Sequence, residues 1–138
     1  MVDALREARR VLTRPGVLID VRPVVAPLVV EVIVAARTMW MKQVASYSAP
    51  EDVAAAGAAV RHALSREWFA LEKSISFDFE ILCDTAAELS VYVQDRKLCG
   101  EEIPYRELDQ RRRELGSHGQ APRLRCRRAW MLSTYRRK

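Results

Sequence analysis

The sequence predicts an α/β fold, or α+β for the chain taken in isolation, on three observations. Residues 3 to 23, DALREARRVLTRPGVLIDVRP, pass from an amphipathic helix through Pro15-Gly16 into a short apolar run. Residues 50 to 65 carry a helical stripe. Residues 69 to 83 alternate apolar and polar side chains with the period of a strand. A helix feeding a strand, then a second helix feeding a second strand, is the order of an α/β unit.

Each element has its own warrant. Leu5, Ala8, Val11 and Leu12 share one face of the first helix, Arg6, Glu7, Arg9 and Arg10 the other, and Pro15-Gly16 ends it. VLIDV, residues 17 to 21, is apolar enough to predict a strand covered on both faces. Residues 28 to 47 are rich in valine and aromatic side chains, with Arg37-Thr38 near the middle, and predict an inserted hairpin. In the next helix Pro50 suits the first turn and Glu51 and Asp52 its positive end, while Val53, Ala56, Val60, Ala63 and Leu64 form the stripe. Gly57 weakens that helix and permits close packing.

In the strand 69 to 83, Phe69, Leu71, Ile75, Phe77, Phe79 and Ile81 point to a buried face, and Glu72, Ser74, Ser76, Asp78 and Glu80 to a wet one. Thr85-Ala86-Ala87-Glu88 is a capping box opening a short helix. Pro104 opens another, to Leu115, and GSHGQAP leads to a last strand over 122 to 136. There Leu124, Cys126, Trp130 and Leu132 share one face, and Arg123, Arg125 and Arg127 the other, where they can meet Glu72, Asp78 and Glu80.

A chain of 138 residues, 49% hydrophobic and 30% charged, suits a single domain over 1–138. Net charge is +5, and the basic helix and strand of residues 106 to 138 hold 11 Lys plus Arg against 3 Asp plus Glu. Cys83, Cys99 and Cys126 form no CxxC pair, which predicts neither a disulfide framework nor a zinc site and fits a reduced, cytoplasmic setting. The start of the chain does not read as a secretory signal, and VVAPLVVEVIVAA, broken by Pro27 and Glu31, is too short to span a bilayer.

The segment EARRVLTRPGVLIDVRP resembles the later part of class I S-adenosylmethionine-dependent methyltransferases, in which a helix ending E-x-x-R-V-L-x-P-G-G feeds the fifth strand of a Rossmann-like sheet. Glu7, Arg10, Val11, Leu12, Pro15 and Gly16 match; Arg14 is an extra residue and Val17 replaces the second glycine. The resemblance implies that 69 to 83 is the sixth strand and 122 to 136 the seventh, antiparallel between the other two: a 5-7-6 portion with flanking helices. It also implies that the cofactor-binding half lies outside this sequence, which has five glycines and no G-x-G. The expectation is therefore a truncated or split methyltransferase, inactive alone, with no cofactor of its own and S-adenosylmethionine bound only if the missing half is supplied.

Candidate residues follow. Asp20, Arg22 and Pro23 end the first strand, at the carboxyl edge where open α/β sheets bind ligands, and read either as a cleft wall or as a strand-ending ion pair and turn. Met39-Trp40-Met41 predicts an exposed apolar patch for a pocket or an interface, since adjacent strand residues cannot all face inward. Arg111-Arg112-Arg113 are candidate anion contacts, with a solvated helix face as the plainer meaning. His62 and His118 lack neighbours at ligand spacing, so no metal site is expected, and no catalytic base can be assigned. For partners, the open edge of strand 17–21 predicts a homodimer, a separately encoded N-terminal half, or cover by the hairpin. The alternative function is a non-catalytic basic module binding nucleic acid or protein through residues 106 to 138.

Overall fold

The computed structural model describes residues 1–45, 50–96, 103–116 and 121–138. The fold is mixed α/β, with four helices and five strands: α1 (Val2–Val11), β1 (Val17–Pro23), β2 (Leu28–Val34), β3 (Arg37–Val44), α2 (Pro50–Ser65), β4 (Phe69–Cys83), α3 (Ala86–Arg96), α4 (Tyr105–Gly116) and β5 (Arg123–Arg137). The strands pair in the order β1-β5-β2-β3, with β4 also on β5, as an antiparallel sheet. The chain divides into two compact units, each with its own core.

The first unit holds residues 1–25, 49–77 and 129–138. Gly16 makes the turn into β1, where a Cβ would lie only 2.5 Å from the Thr13 carbonyl oxygen, so no larger residue fits this backbone. β1 pairs antiparallel with β5 from Val17↔Arg136 to Pro23↔Trp130. The N-terminal part of β4 lies along β5 too: Lys138 N–H donates to the Trp68 carbonyl, and the Ser74 and Ser133 hydroxyls are 2.9 Å apart. Here β5 therefore runs between β1 and β4. α1 packs on α2, and Leu5, Ala8, Leu12, Leu18, Val60 and Leu64 gather around buried Ala63, Phe69 and Tyr135.

The second unit holds residues 26–48 and 78–128. Leu28, Val30 and Val32 on one face of β2 join Val44, Leu89, Ile103, Leu108, Leu124 and Cys126 in its core. α3 opens on the capping box: the Glu88 N–H donates to the Thr85 hydroxyl at 3.1 Å, and the Asp84 N–H to the Glu88 carboxylate at 2.9 Å. α4 packs on α3 and β2 through fully buried Leu108. Among the described residues no helix is long and apolar enough to cross a membrane.

Several local expectations need correction. β1 is covered on one face only: Leu18, Asp20 and Arg22 turn inward, whereas Val17, Ile19 and Val21 are exposed. β4 does not separate a buried face from a wet one, since every residue from Leu71 to Glu80 is exposed and only its ends, Phe69 and Cys83, are buried. In β5 the burial parity reverses, from Leu124, Cys126 and Arg128 to Ser133 and Tyr135, because the strand serves a different core in each unit. The hairpin turns at Ala35-Ala36, not at Arg37-Thr38, and pairs with β5, so it does not cover the edge of β1. On α1, Val11 is exposed while the rest of the predicted stripe packs.

Candidate functional site

The first unit has an open cleft of about 380 Å³ where β1 ends. Three elements build it. β1 and β5 supply Arg22 and Met131, which are cross-strand partners and so share a face. The chain leaving β1, Pro23-Val24-Val25, is held by a 3.0 Å hydrogen bond from the Val24 N–H to the Ala129 carbonyl. α2 supplies Val53, Gly57 and Arg61, spaced four apart on one helical stripe, and Ala54 beside them.

Among the described residues the polar side chains of the cleft are two guanidinium groups. A Cβ placed on Gly57 would lie 3.3 Å from Arg61 Nη1 and 3.7 Å from Arg22 Nη1, so both cations converge on the helix backbone at the position that has no side chain. Arg22 Nη1 is buried and has no hydrogen-bond partner among the described residues. Its Nε lies 3.4 Å from the Asp20 carboxylate, the only acid paired with either arginine among the described residues. A buried guanidinium nitrogen left without an acceptor is costly, and an arriving anion removes that cost.

Of the sequence candidates, the structure gathers Arg22 and Pro23 at this cleft, with Asp20 one inward position earlier on β1. Arg61 and Gly57 were not singled out as site residues. The signal available was the spacing of Val53, Gly57 and Arg61 and a glycine inside an alanine-rich helix. Met39 and Met41 are 54% and 53% exposed, whereas Trp40 turns onto the core of the second unit. The register of β3 slips by one at Met39, which makes it the bulge residue.

The arginines of α4 and β5 are largely matched by carboxylates. Arg111 reaches Glu114 at 3.1 Å and Arg112 reaches Asp109 at 3.6 Å. Arg123 pairs with Asp84, Arg127 with Asp78, and Arg125 with Glu80, while Arg136 pairs with Glu72. One partner was not foreseen. Glu31, only 1% exposed, accepts hydrogen bonds from Arg125, Arg127 and Thr38. Burial would raise its carboxyl above the usual range, but these donors outweigh it and hold the group below. This network closes on itself, and it has the chemistry of a structural tie.

Other groups offer little chemistry. Burial pushes the Cys83 thiol up, with Glu88 and Asp84 adding to the effect, so the thiolate a nucleophile needs is disfavoured. His62 stands edge-on to Trp68 at 5.8 Å, and Arg6 and Arg9 lie over the same indole. His118 and Cys99 lie outside the described residues. Among the described residues no cluster of His, Cys, Asp or Glu is placed to hold a metal. The resemblance places the glycine-rich cofactor turn in the half outside this sequence, so the turn leaving β1, with Pro23, Val24 and Val25, is not the element that would hold S-adenosylmethionine.

No family model matches this chain, and no curated protein or solved structure matches it.

Proposed function

We propose that this protein is a binding module whose working part is the cleft at the end of β1, and that it takes a small anion there. The observation that carries this reading is the convergence of Arg22 and Arg61 over the bare backbone of Gly57. A largely buried cation, Arg22, and an exposed one, Arg61, beside apolar walls form a site in which an anion is drawn in by charge and held by paired N–H donors. The test is titration of the intact chain with acetate and with inorganic phosphate, followed by the arginine Nε–H resonances. Saturable shifts of Arg22 and Arg61 that Arg61→Gln abolishes are expected. Shifts that are linear in anion concentration, or that survive the substitution, would remove the proposal.

A second reading has its own support. The resemblance to class I methyltransferases requires the last strand to lie antiparallel between the strands equivalent to β1 and β4, and β5 pairs with both. On that reading the chain is the acceptor-side part of a split enzyme, the cleft is the part of the substrate pocket that this chain supplies, and the free edge of β1 receives a partner strand. S-adenosylmethionine then binds only after the other half has assembled. Calorimetric titration with S-adenosylmethionine of the chain alone and with a second polypeptide added, its mass in solution measured on the same samples, separates the two readings. No binding by the isolated chain is expected on either, whereas gain of binding on adding a second polypeptide is specific to the split enzyme.

A further inference from the structure

Resting on the reading of the cleft as an anion site, we infer that its ligand is a monoanionic carboxylate carrying a short apolar chain, the carboxylate on Arg22 and Arg61 and the chain against Val24, Val53 and Met131. Four features of the cleft lead to this ligand class.

The first is charge. Arg22 and Arg61 bring two positive charges, and Asp20, 3.4 Å from Arg22, returns one negative charge. The remaining single charge matches one carboxylate, whereas a phosphate near its dianionic form would face Asp20 with an uncompensated charge.

The second is geometry. Both Nη1 atoms lie within 3.7 Å of one point above Gly57, so they are no more than about 7 Å apart. One carboxylate spans that gap with an ordinary hydrogen bond from each arginine, and its flat two-oxygen edge matches the guanidinium fork.

The third is the lining. Among the described residues every lining residue apart from the two arginines is apolar or glycine, and neither a hydroxyl nor a carboxamide side chain is among them. A sugar or nucleobase would leave its polar groups without partners, while an alkyl chain would not. The fourth is size. About 380 Å³ lies at the small end of the range for ligand pockets, enough for a small molecule with a few methylenes.

The experiment is a calorimetric series on the intact protein with linear carboxylates from acetate to octanoate, set beside inorganic phosphate, butyl phosphate and hexanol. Affinity is expected to rise about fourfold per added methylene until the cleft is full. Inorganic phosphate should bind no more tightly than acetate, and hexanol should bind far more weakly than hexanoate. Arg61→Gln is expected to weaken hexanoate about tenfold or more. Gly57→Ala, whose new methyl enters the space between the two guanidinium groups, should weaken it while leaving the protein folded, as its melting temperature reports.

The outcomes separate the two levels of the argument. Acetate and phosphate binding that depends on Arg61, with no gain from chain length or with butyl phosphate tighter than the carboxylates, would overturn the carboxylate assignment and leave the anion site standing. No Arg61-dependent binding of any anion would overturn both. Hexanol binding as tightly as hexanoate would make the cleft a purely apolar pocket and overturn the roles given to the arginines.

Discussion

Gly57 interrupts a run of alanines in α2, and within the fold its value lies in what it omits. Glycine in a helix interior costs about 1 kcal/mol relative to alanine. The atom that a new methyl would crowd most is the end of the flexible Arg61 side chain, 3.3 Å away, which can withdraw. Gly57→Ala is therefore expected to stabilise the fold by up to about 1 kcal/mol in thermal unfolding while it weakens the anion site. A variant less stable than the parent would show that Arg61 cannot yield.

Glu31 sets the opposite case, a residue whose charge serves the fold. Glu31→Gln leaves Arg125 and Arg127, 19% and 27% exposed, without their buried counter-charge and is expected to cost about 3 kcal/mol. Because the folded carboxyl is held below its ordinary value, its stabilisation is complete above the unfolded value near 4.5 and is lost as pH falls through the depressed folded value. Urea midpoints measured from pH 3 to 7 should fall on the acid side less steeply for Glu31→Gln than for the parent. Equal slopes would assign the acid sensitivity to other carboxylates.

The elements were legible wherever local pattern and burial agree. The stripes of α1, Val11 apart, and α2 and the capping box of α3 follow from spacing and from contacts close in sequence, while β5 was marked by its own alternation although its partners β1 and β2 lie far back along the chain. What escaped was burial along the strands. Alternation over 69–83 identified β4 as a strand, but which of its residues are covered depends on tertiary packing, and the two cores reach only its ends, Phe69 and Cys83. The cleft was half legible for a similar reason. Arg22 and Pro23 were marked by their place at the end of β1, but Arg61 joins them only through the packing of α2 over that strand.

The hairpin shows how a missing turn signal shifts a boundary. Ala35 and Ala36 both have positive φ, 49° and 63°, a conformation suited to Asn-Gly in a two-residue turn and disfavoured for alanine. With no such signal in the sequence, the polar pair Arg37-Thr38 drew the turn two residues too far. Ala35→Asn with Ala36→Gly is expected to stabilise the protein by about 1 kcal/mol in chemical unfolding, by relieving the left-handed strain of two alanines. No gain would mean that these residues reach the turn without strain.

Over the whole molecule, the charge is not where the linear sequence puts it. Residues 106 to 138 look strongly basic, but the second unit, which holds most of them, has 12 Lys plus Arg against 11 Asp plus Glu. The first unit has 11 against 7, so +4 of the net +5 belongs to the unit that contains the two-arginine cleft. A cation already paired with a fixed carboxylate neutralises a phosphate only by giving up that partner, so it displaces few of the counterions condensed on a polyanion and adds little to the salt dependence of binding. Binding to duplex DNA is therefore expected to be weak, with a log–log salt slope below about 2 in magnitude. Arg111→Ala, Arg112→Ala and Arg113→Ala together should change that slope little, because Glu114 and Asp109 already engage two of the three. A slope of about 5 or more that the triple substitution removes would instead make α4 a phosphate-gripping face, and would move the site of function from the cleft to the basic helix.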